Sequence, residues 1–225
     1  MTNISRRHVS LGIALALSCA FPAYAQTASG GAAWGIAWSK IPSVTVLWRA
    51  DDSRVTLVRD AVEFWNGVFR ELGTPFRLGP VTYTAGALLV DQLKSLSETA
   101  VSGSGGAALA ANIYQVPGDL IVALSDGNFI SFAARWPTSQ KALVGIKDFA
   151  FFPLTLPNVA RNVIAHELGH AIGLRHNSDP AALMCGRPAP CRPDLFASPT
   201  EKYFPLTAQE TATLRTMYPA DWRPH

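Results

Sequence analysis

The chain has 225 residues, of which 48% are hydrophobic and 16% charged, so it can bury a substantial core and sits near the size of one domain. Its formal charge is +3. Removing residues 1–25, which read as a leader, takes away Arg6 and Arg7 and no acid and leaves +1, which excludes an electrostatic case for a nucleic-acid or anionic-membrane partner.

In chain order, Arg6 and Arg7 form a basic start, Val9 to Ala20 an apolar run, and Ala23-Tyr24-Ala25 a small-x-small cleavage site, the three parts of an export signal. Ser5 to Val9 loosely matches a twin-arginine signal, and ordinary Sec export stays open beside it. Ala16-Leu17-Ser18-Cys19 faintly resembles a lipoprotein processing site, and the plainer reading of Cys19 is a small apolar residue of the leader. The expected location is the periplasm or the medium. After the leader no apolar run reaches the roughly 18 residues of a membrane span, so no membrane partner is expected and a monomer is the expected state. Residues 26–40, rich in Ala, Gly and Ser, read as a flexible lead-in with Trp34 and Trp38 anchoring its end. Residues 41–225 are the expected folded domain.

Val44 to Trp48 is a β-branched and aromatic run that reads as a first strand, and Asp51-Asp52-Ser53 can cap the next element. From Ser53 to Leu72, Val55, Val58, Val62, Trp65 and Phe69 recur at spacings of three and four, and Gly73 stands where such a helix stops. Phe76 to Tyr83 reads as a second strand, Gly86 to Glu98 as helical, and residues 102–106 as a loop. Leu120 to Leu124 is a continuous apolar run of the kind a buried strand shows, followed by a turn at Asp126-Gly127-Asn128. Ile130 to Ala134 and Leu143 to Ile146 are the fourth and fifth strands. Pro157 and Asn158 open a second long helix through Val159, Val163, Ile164, Leu168 and Ile172, closed by Gly173. Thr207-Ala208-Gln209-Glu210 is a capping box for a last helix that runs to Tyr218 before Pro219.

The chemistry lies on the second long helix. Of five histidines in the chain, His166, His170 and His176 fall in one short segment. Residues four apart share a helix face, so His166 and His170 can approach one ion. On a continued helix His176 would lie on nearly the opposite side. Gly173 resolves this, because glycine takes the left-handed conformation that stops a helix and turns the chain back. Three protein ligands and a fourth position open to water are the arrangement of a catalytic zinc ion, and Glu167, next to His166, is placed to act as general base on that water. Cys185 and Cys191 remain after leader cleavage; in an oxidising compartment such a pair is expected to form a disulfide, while two thiols alone make a poor metal site.

The segment from His166 to His176, with its HExxHxxGxxH spacing, resembles the metzincin zinc endopeptidases, and Met184 stands where their Met-turn methionine stands. Within that clan, Ala181-Ala182-Leu183-Met184 followed by Leu206 to Glu210 and Tyr218 resembles the matrixin catalytic domain, over roughly residues 157–219. The resemblance implies an α/β (α+β), zincin-like fold: a twisted, mostly parallel five-stranded sheet, two long helices, a zinc cleft, and a small C-terminal part ending in a helix. It further implies one catalytic zinc ion, Met184 as an apolar floor beneath it, peptide-bond hydrolysis in protein or peptide substrates, an extended substrate along the strand near Ile130 to Ala134, and an outer pocket wall between Met184 and Phe204. Asn177 departs from the archaemetzincins, where a cysteine follows the third histidine. The histidines of a matrixin structural zinc and the cysteine-switch propeptide have no counterpart. Calcium near Asp119, Asp126 or Asp148 would fit the resemblance, but scattered surface acids explain these residues more simply. The competing readings are a zinc-containing binding or toxin-like module with minor hydrolysis, and hydrolysis of a non-protein amide.

Overall fold

The computed structural model describes residues 35–49, 51–102, 109–186 and 200–225. The leader, Trp34, most of the glycine-rich loop and the segment 187–199, with Cys191, lie outside the described residues. Five strands, β1 (Val44–Trp48), β2 (Val81–Ala85), β3 (Leu120–Leu124), β4 (Phe132–Trp136) and β5 (Lys141–Ile146), form one sheet in the order β2-β1-β3-β5-β4. All neighbours are parallel except β4, which runs antiparallel to β5 from the pair Phe132–Gly145 to the pair Trp136–Lys141. The helices are α1 (Arg54–Glu71), α2 (Val90–Ser102), α3 (Ala111–Tyr114), α4 (Pro157–Ala171) and α5 (Ala208–Met217).

Strand alternation divides the core. Val44, Val46, Leu120, Val122, Val144 and Ile146 face α1 and α4, while Leu47, Ile121, Leu143 and Phe132 face Leu93 and Leu96 of α2 and Ile113 of α3. Because helices cover both faces, every residue of β3 and β5 is buried, which explains why β3 reads in sequence as an unbroken apolar run. Helix α1 lays Val58, Val62, Trp65 and Phe69 against α4 and the sheet. Its buried Arg54 holds the sheet ends: it pairs with Asp52 and donates to the carbonyls of Ser125 (2.7 Å) and Lys147 (3.1 Å).

Several element boundaries differ from expectation, the fifth strand beginning at Lys141 rather than Leu143. The second strand begins at Val81 rather than Phe76, because Asn66 of α1 takes the backbone of Leu78 for itself, accepting from its N–H at 2.8 Å and donating to its carbonyl at 3.1 Å. Phe76 is instead a fully buried plug stacked on Tyr218, ring centroids 3.9 Å apart. The fourth strand runs two residues later than expected, 132–136, because it pairs with β5 right up to the turn at Pro137–Ser139, while the carbonyl of Ile130 ahead of it accepts from Ser97 Oγ at 2.6 Å. The middle helix lies at 90–102, four residues beyond the expected span, and the single turn α3 follows it.

The chain ahead of β1 is built into the domain. Trp38 is fully buried, donates its indole N–H to the carbonyl of Ala171 at 3.0 Å, and carries the Arg135 guanidinium 4.7 Å above its ring. Among the described residues no helix is long and apolar enough to cross a membrane.

Candidate metal centre

Helix α4 carries the site and is fixed along its length by partners outside it. Pro157 at its first position needs no N–H partner. Asn158 and Asn162, one turn apart, bind the chain at Lys202 and Phe204: Asn162 donates to the Lys202 carbonyl at 2.8 Å and accepts from the Phe204 N–H at 2.8 Å. Asn158 accepts from the Lys202 N–H at 3.1 Å. The Trp65 indole donates to the carbonyl of Ala165 at 2.9 Å. At the far end Gly173, at φ 109°, closes the helix in a Schellman arrangement, with its own N–H on the His170 carbonyl (2.9 Å) and the Leu174 N–H on the Gly169 carbonyl (3.0 Å).

This turn brings the third histidine back, as the sequence requires. His166, His170 and His176 form one group that could hold a metal ion, the only such group among the described residues. His176 Nε2 lies 2.9 Å from His170 Nε2 and 3.1 Å from His166 Nε2. Ligand bonds of about 2.0–2.1 Å in a tetrahedral site put neighbouring nitrogens about 3.3 Å apart, so a small shift fits a zinc ion. The tautomers suit it too. Nδ1 of His166 faces the Leu183 carbonyl at 2.7 Å and Nδ1 of His170 faces the Leu174 carbonyl at 2.8 Å. A carbonyl only accepts, so each Nδ1 carries the proton and each Nε2 presents its lone pair to the common point. Burial, and then the neighbouring His166 and His176, hold His170 well below the usual imidazole pKa, in the neutral form a ligand needs. His166 and His170 are 8% and 4% exposed, whereas His176 is open to solvent. Glu167, directly after His166 on α4, is 7% exposed.

Met184 is fully buried and packs against α4 at Gly169, which lies between His166 and His170 in the sequence. A Cβ on Gly169 would meet its Sδ at 2.4 Å and Trp65 Cζ2 at 2.9 Å, so this helical glycine is what admits the methionine. The Met184 turn is held on both sides. The Leu183 N–H bonds to the Pro205 carbonyl, and Asn177 pairs with it in strand fashion: the Asn177 N–H bonds to the Met184 carbonyl and the Gly186 N–H to the Asn177 carbonyl, all at 2.9 Å. A Cβ on Gly186 would meet the His176 ring at 2.7 Å. Gly169 and Gly186 thus shape the site, and sequence reading missed both. The signal for Gly169 was the cost of a glycine inside a helix.

The disulfide expected between Cys185 and Cys191 is not found. Cys185 has a free thiol, turned inward to 1% exposure by the Asn177–Cys185 bridge, and Cys191 lies outside the described residues. The acids considered for calcium are committed elsewhere: Asp119 to Lys40 and Ser43, Asp126 to Arg49, and Asp148 to the Ala150 N–H.

The mixed sheet with its one antiparallel edge strand, the helix ended by a glycine and the three convergent imidazoles make up an α/β fold that carries a candidate metal centre on and just after α4. Residues 131–198 match the family model described as Matrixin, a span of less than a third of the chain that holds all three histidines, Glu167 and Met184. No curated protein matches. Similar solved structures include an archaemetzincin from Methanopyrus kandleri, 17% identical, covering 80% of this chain and 96% of that one at a TM-score of 0.40. A zinc-dependent peptidase from Methanocorpusculum labreanum is also 17% identical and covers 76% of this chain and 99% of its own at a TM-score of 0.38.

Proposed function

We propose that this chain is a zinc-dependent endopeptidase that acts outside the cytoplasm, in the periplasm or the medium. The observation that carries the reading is the convergence of three imidazole nitrogens within 4.8 Å of one another, with Glu167 on α4 between His166 and His170. His166, His170 and His176 would hold the ion. When bound, it supplies Lewis acidity that polarises a substrate carbonyl and acidifies water towards a pKa of about 7.

The remaining work falls to the chain itself. Glu167 takes a proton from the attacking water and passes it to the leaving amine, so that water adds across the C–N bond and a carboxylate and an amine separate. Met184 and Trp65 keep the base of the site apolar and rigid. Strand β4 is the last in the sheet order, with one edge unpaired within the sheet, and an extended peptide can add there through main-chain hydrogen bonds beside α4. The outer pocket wall expected between Met184 and Phe204 falls mostly outside the described residues. Support for export comes from the basic, apolar and small-residue parts of residues 1–25.

The test is cleavage of a complex peptide mixture by the zinc-loaded protein, read by mass spectrometry, with Glu167→Ala as the partner. The expected result is new peptide ends from the parent and a loss of several orders of magnitude in the variant, with zinc retained. A folded, zinc-replete parent that cuts nothing would contradict a general endopeptidase and favour a zinc-containing binding module.

A further inference from the structure

Two of the three ligands sit on a helix and have their rings oriented by backbone carbonyls. The third, His176, rides on the irregular turn that follows Gly173 and is exposed. The structure places α5 and the residue that closes it against both ends of the turn. At the near end, the Tyr218 hydroxyl donates to the Ile172 carbonyl at 2.9 Å and accepts from the Trp38 N–H at 3.2 Å. In the middle, a Cβ on Gly173 would lie 2.9 Å from Met217 Sδ, so the last turn of α5 seats directly on the helix-ending glycine. At the far end, Asn177, the residue after the ligand, donates its side-chain amide to Oε1 of the buried Glu210.

Glu210 divides its carboxylate between two tasks. Oε2 accepts the Thr207 N–H at 2.7 Å in the capping box, and Oε1 takes Asn177. Asn177 in turn is spent on all sides: its N–H and carbonyl join the Met184 turn, and its Oδ1 accepts the Asp179 N–H at 2.8 Å. The capping box alone would be served by any acceptor at this position of α5. A buried carboxylate that also holds the neighbour of a metal ligand is more than a cap requires.

We propose that α5 acts as a brace for the third ligand, with Glu210 and Tyr218 as positioning residues that fix the turn 172–177 and so place His176. The inference rests on the zinc-centre reading. Its consequence is that metal affinity depends on side chains at the C-terminal end of the domain that do not themselves bind the ion.

The experiment uses the full chain in metal-free form, titrated with zinc against a chromophoric chelator and with Co2+ followed by its visible absorption, each variant first confirmed folded by its melting curve. Tyr218→Phe removes the hydroxyl without changing charge, and is expected to weaken zinc about tenfold, the low end of what loss of an outer-shell partner costs. Glu210→Gln places an amide N–H2 against that of Asn177 and is expected to weaken zinc similarly. Adding Asn177→Asp exchanges donor and acceptor and is expected to bring affinity back to within about threefold of the parent. Thr207→Ala removes the cap hydroxyl but leaves Glu210 on Asn177, and is expected to lower the melting temperature with zinc affinity and the Co2+ spectrum unchanged. A parent that binds zinc while Tyr218→Phe and Glu210→Gln bind it within twofold and share its Co2+ spectrum overturns the brace alone, as does a double variant that fails to recover. A folded parent that binds no zinc overturns the metal centre itself.

Discussion

Gly169→Ala sets two opposing effects against each other, and the structure decides between them. Replacing a helical glycine by alanine stabilises an unobstructed helix by about 0.5–1 kcal/mol. At Gly67 of α1 that gain should appear in full, because the new Cβ meets only Arg70 Nη2, at an ordinary 3.7 Å. At Gly169 the Cβ would lie 2.4 Å from Met184 Sδ and 2.9 Å from Trp65 Cζ2. The methionine can bend away, but Trp65 is fully buried and tied by its indole N–H to Ala165, so it cannot retreat without breaking that bond. Overpacking of this kind costs about 1–3 kcal/mol, which after the helix gain of about 0.5–1 kcal/mol leaves a net loss of about 0–2.5 kcal/mol, about 1 kcal/mol at the middle of both ranges. For a chain of this size each kcal/mol moves the melting temperature by about 2–4 °C. Thermal melts of the metal-free parent and the two variants should therefore order as Gly67→Ala above parent above Gly169→Ala. If Gly169→Ala melts above the parent, the Met184–Trp65 packing against α4 is wrong.

The same contacts fix three further outcomes. Gly186→Ala puts a methyl group 2.7 Å from the His176 ring, so zinc affinity should fall about 10–100-fold in a chelator competition while the metal-free melting temperature barely moves. Trp38→Phe leaves the Ala171 carbonyl buried without its 3.0 Å donor and should lower the denaturant midpoint by an amount equivalent to about 1–3 kcal/mol. Burial pushes the Tyr218 phenol up to about 12, above its ordinary value near 10. The folded protein therefore binds the extra proton between those values, so stability is full below about pH 10 and is lost as pH rises towards 12. Tyr218→Phe should flatten that part of the stability profile in denaturant titrations at increasing pH, and an unchanged alkaline slope would refute the assignment.

The sequence made the candidate metal centre legible because its geometry is local. His166 and His170 are one helical turn apart, and Gly173 at positive φ is the only device needed to return His176 to them. The long helices and the buried strand Leu120–Leu124 were legible for the same reason, since periodicity and unbroken apolarity are written in consecutive residues. What escaped depends on partners far along the chain. Nothing near Phe76 announces that Asn66 will claim the backbone of Leu78 and delay β2. Gly186 is ordinary until the His176 ring lies across it, and Glu210 reads as a cap until Asn177 arrives from 33 residues away. The disulfide expectation followed from compartment and spacing, whereas the strand-like pairing of Asn177 with Cys185 turns that thiol into the core.

The central claim, that His166, His170 and His176 form an open catalytic zinc site, is tested most directly by X-ray absorption at the zinc edge on the singly loaded protein. The account predicts one zinc per chain, three imidazole nitrogens near 2.0–2.1 Å and a further light oxygen ligand. A sulfur ligand near 2.3 Å, from Cys185 or Cys191, or a site closed by four protein ligands, would contradict it.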